Sequence, residues 1–552
     1  MKVEKKNLLC SLLLLLVMVL TGFLWQPTFY LNDDITMRSI LSGAYTGTPN
    51  GHAVYMQYPL TGLLAILYIV LPGIEWMELF FAGCIWICMS LVASKFSDKL
   101  LGGLLAAVLF LPFYFYMHYT IVAALLAGCA IFLLCHEKPK NIPLVLLWVA
   151  YMIRSQVGLL ALPFVLAAWV WKVISQKKEN RKAVCVTCGK QLTLLLVGLA
   201  LISGLHSLCY SSENWKEYLR YNESRTQLYD YTDFLSTNQY GTDFASYGMS
   251  KQEYELLISY NTMLEHKPDA GKLQEIADKI TAGMQKRGDT GWKEALQSYY
   301  LQVRYQDAPY NYLWLFGYIL LAIFMIWTKD WLSLGFLGIL GVGRSSIWIF
   351  LMEQGRFPQR VSISLYLLEL MLLLALVKKK KEVLRTTKIY DMAIGTAYLC
   401  LLLLCASLLT TTHQKISNRL EVQVGWELLK AHCEEYSDRT YLMDVFSSVS
   451  YADSLYEEDA ANLMLLGGWL TGSPLTDERL KALGGTDAAE VLYYNKDARL
   501  VVDADKDISR LENYMRERFG ECRLVPVETV DWKDGGFFIY EVQTDVAKKE
   551  TM

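Results

Sequence analysis

A chain of 552 residues that is 53% hydrophobic and only 19% charged, with a mean hydropathy of +0.24, is too apolar for a disordered protein and too poor in charge for an ordinary soluble domain. Its net charge of −3 offers no basic field to a nucleic acid. The charges are also sorted. Of 55 acidic residues, 15 fall between Cys209 and Tyr310 and 27 between Thr411 and Met552, whereas the remaining chain is built of long apolar blocks. The two acidic stretches are expected in water and the blocks in a bilayer, which ~20 apolar residues cross as a helix.

The first block, Leu8 to Trp25, follows Lys2, Lys5 and Lys6 and precedes no small-residue cleavage pattern. It reads as an uncleaved helix with the N-terminus in the cytoplasm. Basic residues near helix ends mark the cytoplasmic side. The clusters Lys172–Lys190 and Lys378–Lys388 therefore belong there, together with Lys95, Lys99, Lys138 and Lys140. Ten further spans are predicted near 76–94, 100–117, 120–136, 141–154, 157–172, 190–208, 311–328, 331–351, 361–377 and 389–410, making eleven. Residues 59–73 are apolar too, but the stretch is short, and proline and glycine bound it. A crossing there would put either the N-terminal lysines or every later basic cluster outside, so it reads as an interfacial or re-entrant helix on the outer face, an ordinary span being the alternative.

The predicted class is a polytopic α-helical membrane protein of about eleven transmembrane helices, multi-pass in the cell membrane. A module over 1–208 contains a first outer loop within 26–75. An outer helical segment (209–310), a second helix set (311–410) and a C-terminal soluble α/β domain (411–552) follow. In that domain Leu420–Cys433 and Ile508–Phe519 read as helices, and Tyr441–Val445, Ala498–Val502, Arg523–Val530 and Gly536–Val542 as strands. No glycine-rich phosphate loop follows a strand. Both acidic segments fall outside the cell.

The first outer loop carries Asn32-Asp33-Asp34 about seven residues after the first membrane helix. Adjacent carboxylates this close to lipid need a partner or a use. An Asx cap on a short helix through Arg38 is one use, and chemistry is another. Tyr58-Pro59-Leu60 then opens the interfacial helix. This order of first helix, acidic outer loop and Pro-Leu-led interfacial helix resembles the GT-C superfamily of membrane glycosyltransferases. Protein O-mannosyltransferases and lipid A aminoarabinose transferases belong to it. Where those enzymes often carry His-Pro-Pro-Leu, this chain lacks the histidine and the second proline. The resemblance covers the topology to about Leu208. Asn32-Asp33-Asp34 with the run from Gly43 to Pro49 is also similar to multi-pass proteins of Gram-positive bacteria.

The resemblance implies a sugar transferred from a polyprenyl-phosphate donor to a glycan, lipid or protein acceptor on the extracytoplasmic face. Asp33 would be the base, with Asp34 orienting it or binding metal. No cofactor is required by the sequence, although the acid pair leaves room for a divalent cation; no His cluster has ligand spacing. Arg154, Arg356 and Arg360 break the cytoplasmic bias for basic residues, and guanidinium forks suit a donor phosphate. Lipid phosphates, or Glu353 beside Arg356, are the alternative partners. Arg344 lies inside a span and calls for a polar cavity or a carboxylate such as Glu369. His52, Tyr58 and His118 are further candidates for the cavity; the aromatics from Phe113 to Tyr119 read as an interface belt. Cys185-x-x-Cys188 has no second pair for zinc, and Cys433 and Cys522 share the outer domain. A transporter or flippase, or a polymerase, of lipid-linked saccharides is the alternative reading.

Overall fold

The computed structural model describes residues 2–136, 141–237, 245, 248–265, 269–287, 291–383, 388–448, 453–457, 459–533 and 535–544. Lys138, Lys140 and the side chains of the four-lysine run lie outside the described residues. In chain order, α1 (Lys2–Leu24) and β1 (Thr28–Phe29) lead to α2 (Asn32–Ser42) and α3 (Tyr58–Val70). Then come α4 (Trp76–Ser94), α5 (Lys99–Phe110), α6 (Pro112–Phe115), β2 (Tyr116–Met117), α7 (Tyr119–His136), α8 (Ile142–Ile153), α9 (Ser155–Ile174) and α10 (Lys178–Cys209). The middle segment holds α11 (Glu213–Tyr231), α12 (Phe234–Thr237), α13 (Lys251–Ser259), α14 (Ala270–Arg287) and α15 (Trp292–Leu301), with a π turn over Gln302–Gln306. α16 (Tyr310–Trp327), α17 (Trp331–Glu353), α18 (Gln359–Val383) and α19 (Lys388–Glu435) follow. The C-terminal part comprises β3 (Thr440–Met443), α20 (Val445–Ser448), β4 (Leu463–Leu465), α21 (Pro474–Ala482), α22 (Ala488–Tyr494), β5 (Ala498–Asp503), α23 (Ser509–Phe519), β6 (Cys522–Trp532) and β7 (Gly535–Thr544).

Among the described residues, eight helices are long and apolar enough to cross a membrane: α1, α4, α7, α9, α10, α16, α17 and α18. They match eight of the expected eleven; the other three, 100–117, 141–154 and 389–410, are not among them. The expected span 100–117 is broken, because Pro112 lacks the N–H and the room to continue α5; the chain instead turns through α6 into β2, which pairs in parallel with β1. α8 has only 12 residues, about 18 Å at 1.5 Å per residue. The span expected at 389–410 lies within the 48-residue α19, part of which has undescribed side chains. α3 is likewise short, at 13 residues.

α7 is apolar on every face, the pattern of a buried helix, and 17 of its 18 residues are buried. It packs against α4, α8, α9 and α18. Gly128 lets α18 approach: a Cβ there would lie 3.0 Å from Met371 and 3.3 Å from the Leu367 carbonyl. Inside the later helices Arg344 meets Glu369 at 3.0 Å, and its guanidinium lies 4.2 Å from the ring centroids of both Trp314 and Trp348.

α19 runs without a break past residue 411, so no linker separates helix from domain. Its Trp426, Leu429 and Cys433 pack on Met443, Val501, Phe537 and Ile539 of the sheet. The sheet order is β4-β3-β5-β7-β6, with β3 parallel to β4 and β5 and the β7 pairings antiparallel. β4 was absent from the sequence expectation because three residues show no alternation. Cys433 and Cys522 are both free thiols, so no disulfide joins them.

The middle segment docks on this domain. Asn261 Nδ2 donates to Asp444 at 2.7 Å and its Oδ1 accepts from the Val445 amide at 3.1 Å, while the Met263 amide donates to the Leu466 carbonyl at 2.8 Å. At this seam a Cβ on Gly467 would fall 1.9 Å from the Tyr260 carbonyl oxygen. Gly467→Ala should therefore destabilise the full chain in detergent by about 1–3 kcal/mol of overpacking or more, read as a fall in Tm. Gly189→Ala on α10, which meets nothing within 4 Å, serves as the control and should leave the Tm unchanged or raised.

Candidate functional site

Asp33 and Asp34 sit in the first turn of α2, whose N-cap is Leu31 and makes no side-chain cap. Neither carboxylate caps its own helix, as the Asx-cap expectation would have it. Asp34 is buried, and its Oδ1 accepts from the Tyr119 amide at 2.9 Å, at the N-terminus of α7. A carboxylate suits that end of a helix dipole. Its Oδ2 lies 3.9 Å from His118 Nε2, too far for a hydrogen bond, and among the described residues neither atom has another partner. His118 Nδ1 accepts from the Thr120 amide at 2.9 Å, which leaves the ring proton on Nε2. Burial, then Arg360 and Arg154, drives the His118 pKa well below its ordinary 6.5. Burial likewise drives Asp34 well above 3.8, with Asp33 and Glu78 adding to the rise. The two groups are therefore not an ion pair.

Asp33 faces a cavity of about 890 Å³, which Arg154, Arg225, Arg356 and Arg360 also line. Arg154 stands where α8 stops and α9 starts, in extended backbone. Its guanidinium lies 5.2 Å from the Tyr55 ring centroid and 5.3 Å from that of Tyr119. Arg360 opens α18 just after Pro358. Among the described residues neither guanidinium has a carboxylate or hydrogen-bond partner. Arg356, on the turn made by Gly355 in left-handed backbone, pairs with Asp230 of α11 rather than with Glu353. Burial pushes the Asp33 carboxyl above its ordinary 3.8, while Arg360, Arg154 and Arg225 pull it back.

Of the other candidates, the structure puts none at the cavity wall. His52 stacks on Trp215 at 4.6 Å and bonds Asn50 at 2.8 Å, packing the loop on α11. The Tyr58 amide donates to His206 Nδ1 at 3.1 Å. Arg344 is committed to Glu369.

Sequence reasoning missed Arg225, whose Nε donates to Asn222 at 2.9 Å and which also bonds Tyr260. It also missed the wall supplied by Gly467, Gly468 and Trp469 of the C-terminal domain. The largest omission is Arg38. This buried guanidinium meets Glu78 of α4 at 3.2 Å and pairs with Asp453 and Asp459 of the C-terminal part. Asp453 also accepts from Lys430 at 2.7 Å and from Trp426 Nε1 at 2.8 Å. Burial opposes the charge on Arg38, but Asp459, Asp453 and Glu78 more than offset it and raise its pKa. The backbone reinforces the clamp: Phe29 donates to the Asp453 carbonyl at 3.0 Å and Leu455 to that of Pro27 at 2.8 Å. A lone acid in an apolar span, as Glu78 is, was the available signal.

Comparison with known proteins returns no matching family model, no matching curated protein and no matching solved structure. Among the described residues no three His, Cys, Asp or Glu side chains gather as metal ligands would.

Arg38→Met should cost about 3–5 kcal/mol by leaving buried carboxylates unpaired, read as a fall in Tm; Asp459→Asn, which keeps an acceptor, should cost less. Asp34 gives a pH signature. The folded chain holds a proton on it that the unfolded chain loses above 3.8, so it lowers stability as pH rises from 3.8 towards the raised value. Asp34→Asn keeps an oxygen for the Tyr119 amide and should flatten that decline. Parallel Tm–pH curves for the two proteins would show an unperturbed carboxyl.

Proposed function

We propose that the protein is a GT-C-like membrane glycosyltransferase that moves a sugar from a polyprenyl-phosphate donor to an acceptor hydroxyl on the extracytoplasmic face. The observation that carries this reading is one cavity in which Asp33 faces Arg154 and Arg360, both without carboxylate partners among the described residues. In the reaction the acceptor oxygen forms a bond to the sugar's anomeric carbon, and the bond from that carbon to the donor phosphate oxygen breaks. Asp33 takes the hydroxyl proton. The phosphate leaves with the bonding pair as a dianion, and Arg154 and Arg360 hold the charge that develops. Arg225 and the Arg356–Asp230 pair add to the field. Asp34 orients α2 through α7.

In this reading about eleven segments are membrane-embedded, the N-terminus is cytoplasmic, and the C-terminal domain lies outside. α3 runs along the outer interface, since its 13 residues span ~20 Å against a ~30 Å hydrocarbon core. Cysteines at Tyr58 and Glu75 should then label from one side.

The test is release of free polyprenyl phosphate from decaprenyl-phosphate-linked hexoses, followed by mass spectrometry on membranes holding the full chain. Asp33→Asn should slow release by ~10²–10⁴-fold, with an unchanged Tm. Release by the wild type should also fall as acid protonates Asp33, at a pH above 3.8 because its pKa is raised. Unchanged release in Asp33→Asn and in an Arg154→Ala, Arg360→Ala double variant would end this mechanism.

A further inference from the structure

α15 belongs by sequence to the acidic outer segment, yet it packs on α17, one of the helices able to cross a membrane. Tyr299 makes the junction. Its hydroxyl lies 2.9 Å from Ser345 Oγ and accepts from Arg344 Nη1 at 2.6 Å. Ser345 is eight residues before the end of α17 at Glu353, about 12 Å along the axis at 1.5 Å per residue. α15 is thus held beside the apolar wall and not above it.

The helix surface is divided in three. Ala295 is buried and Tyr299 half-buried against α17. Trp292, Leu296 and Tyr300 recur every fourth residue along the next stripe and are 63%, 46% and 51% exposed. Lys293 and Gln297 form the stripe beyond, which runs to exposed Leu301, while Arg304 of the π turn follows Tyr300 by four residues and bonds its hydroxyl. The cations lean on the aromatics: Lys293 Nζ is 6.0 Å from the Trp292 centroid, and Arg304 is 5.6 and 5.1 Å from those of Tyr300 and Tyr305. Further along the chain, Tyr305 and then Tyr312, Leu315 and Ile319 of α16 are exposed as well. Held at Ser345, well inside the end of α17, the stripe shares the surroundings of a helix able to cross a membrane. An apolar stripe ending in Trp and Tyr, bordered by Lys and Arg, fits the boundary between acyl chains and phosphate headgroups.

We propose that α15 and its π turn form an interfacial helix seated in the bilayer, with Trp292, Leu296 and Tyr300 among acyl chains and Lys293 and Arg304 at lipid phosphates. The middle segment is then tethered to the membrane surface at its second end as well as at α10. The full chain in phosphatidylcholine–phosphatidylglycerol nanodiscs is treated with hydroxyl radicals and, separately, with a lipid-resident aryl diazirine, and modified residues are read by mass spectrometry. Trp292 and Tyr300 should oxidise about tenfold more slowly than aqueous aromatics, with Tyr494 of the C-terminal domain, 65% exposed, as the reference. The diazirine should label 292–301 as heavily as 312–323. Oxidation matching Tyr494 would put the stripe in water and overturn the proposal. Protection from both reagents would mean that another protein chain covers it, which overturns the proposal equally.

Discussion

One guanidinium, on Arg38, gathers carboxylates from α4 and from the C-terminal part, and the position of Asp33 depends on that convergence. α2 has 11 residues and no side-chain N-cap, too little for a helix to hold its place unaided. Its geometry comes from outside. Asp34 ties its first turn to α7, and Arg38, one turn on, ties it to Glu78 and Asp453. Buried charges are costly to desolvate, so such a cluster contributes more to a unique arrangement than to net stability. What it specifies here is the orientation of the helix face that presents Asp33 to the cavity.

The same convergence makes the cavity a joint product of distant parts of the chain. Arg154 comes from a helix end of the first module, Arg360 from one in the second helix set, Arg225 from the middle segment, and Trp469 from the domain built on α19. Each cation is acceptable beside apolar helices because it faces this polar volume instead of lipid. Arg344 solves the same difficulty in another way, by pairing with Glu369 within an aromatic surround, and so it holds α17 to α18 instead of lining the cavity.

Asp33, Arg154 and Arg360 were legible because each is a charge where the surrounding composition penalises one. Arg344 with Glu369 was legible for the same reason. Arg225 was not, since an arginine in a segment full of charge carries no local penalty. His52 and Tyr58 illustrate the opposite error: polar residues near the acidic loop that are used for packing against α10 and α11. The break at Pro112 could be read locally, but apolar content alone hid it.

The sequence by itself determined the apolar helices, the acidic segments and most strands of the terminal sheet. Transfer from water to lipid and strand alternation are summed over neighbours in the chain, so local composition suffices. Only the tertiary structure decided what Asp34 bonds, which arginines share a cavity with Asp33, and that the C-terminal part closes it. Arg38 and Asp453 are 415 residues apart. Their attraction acts over a few ångströms in space, and no local pattern records which distant carboxylate a buried guanidinium will meet.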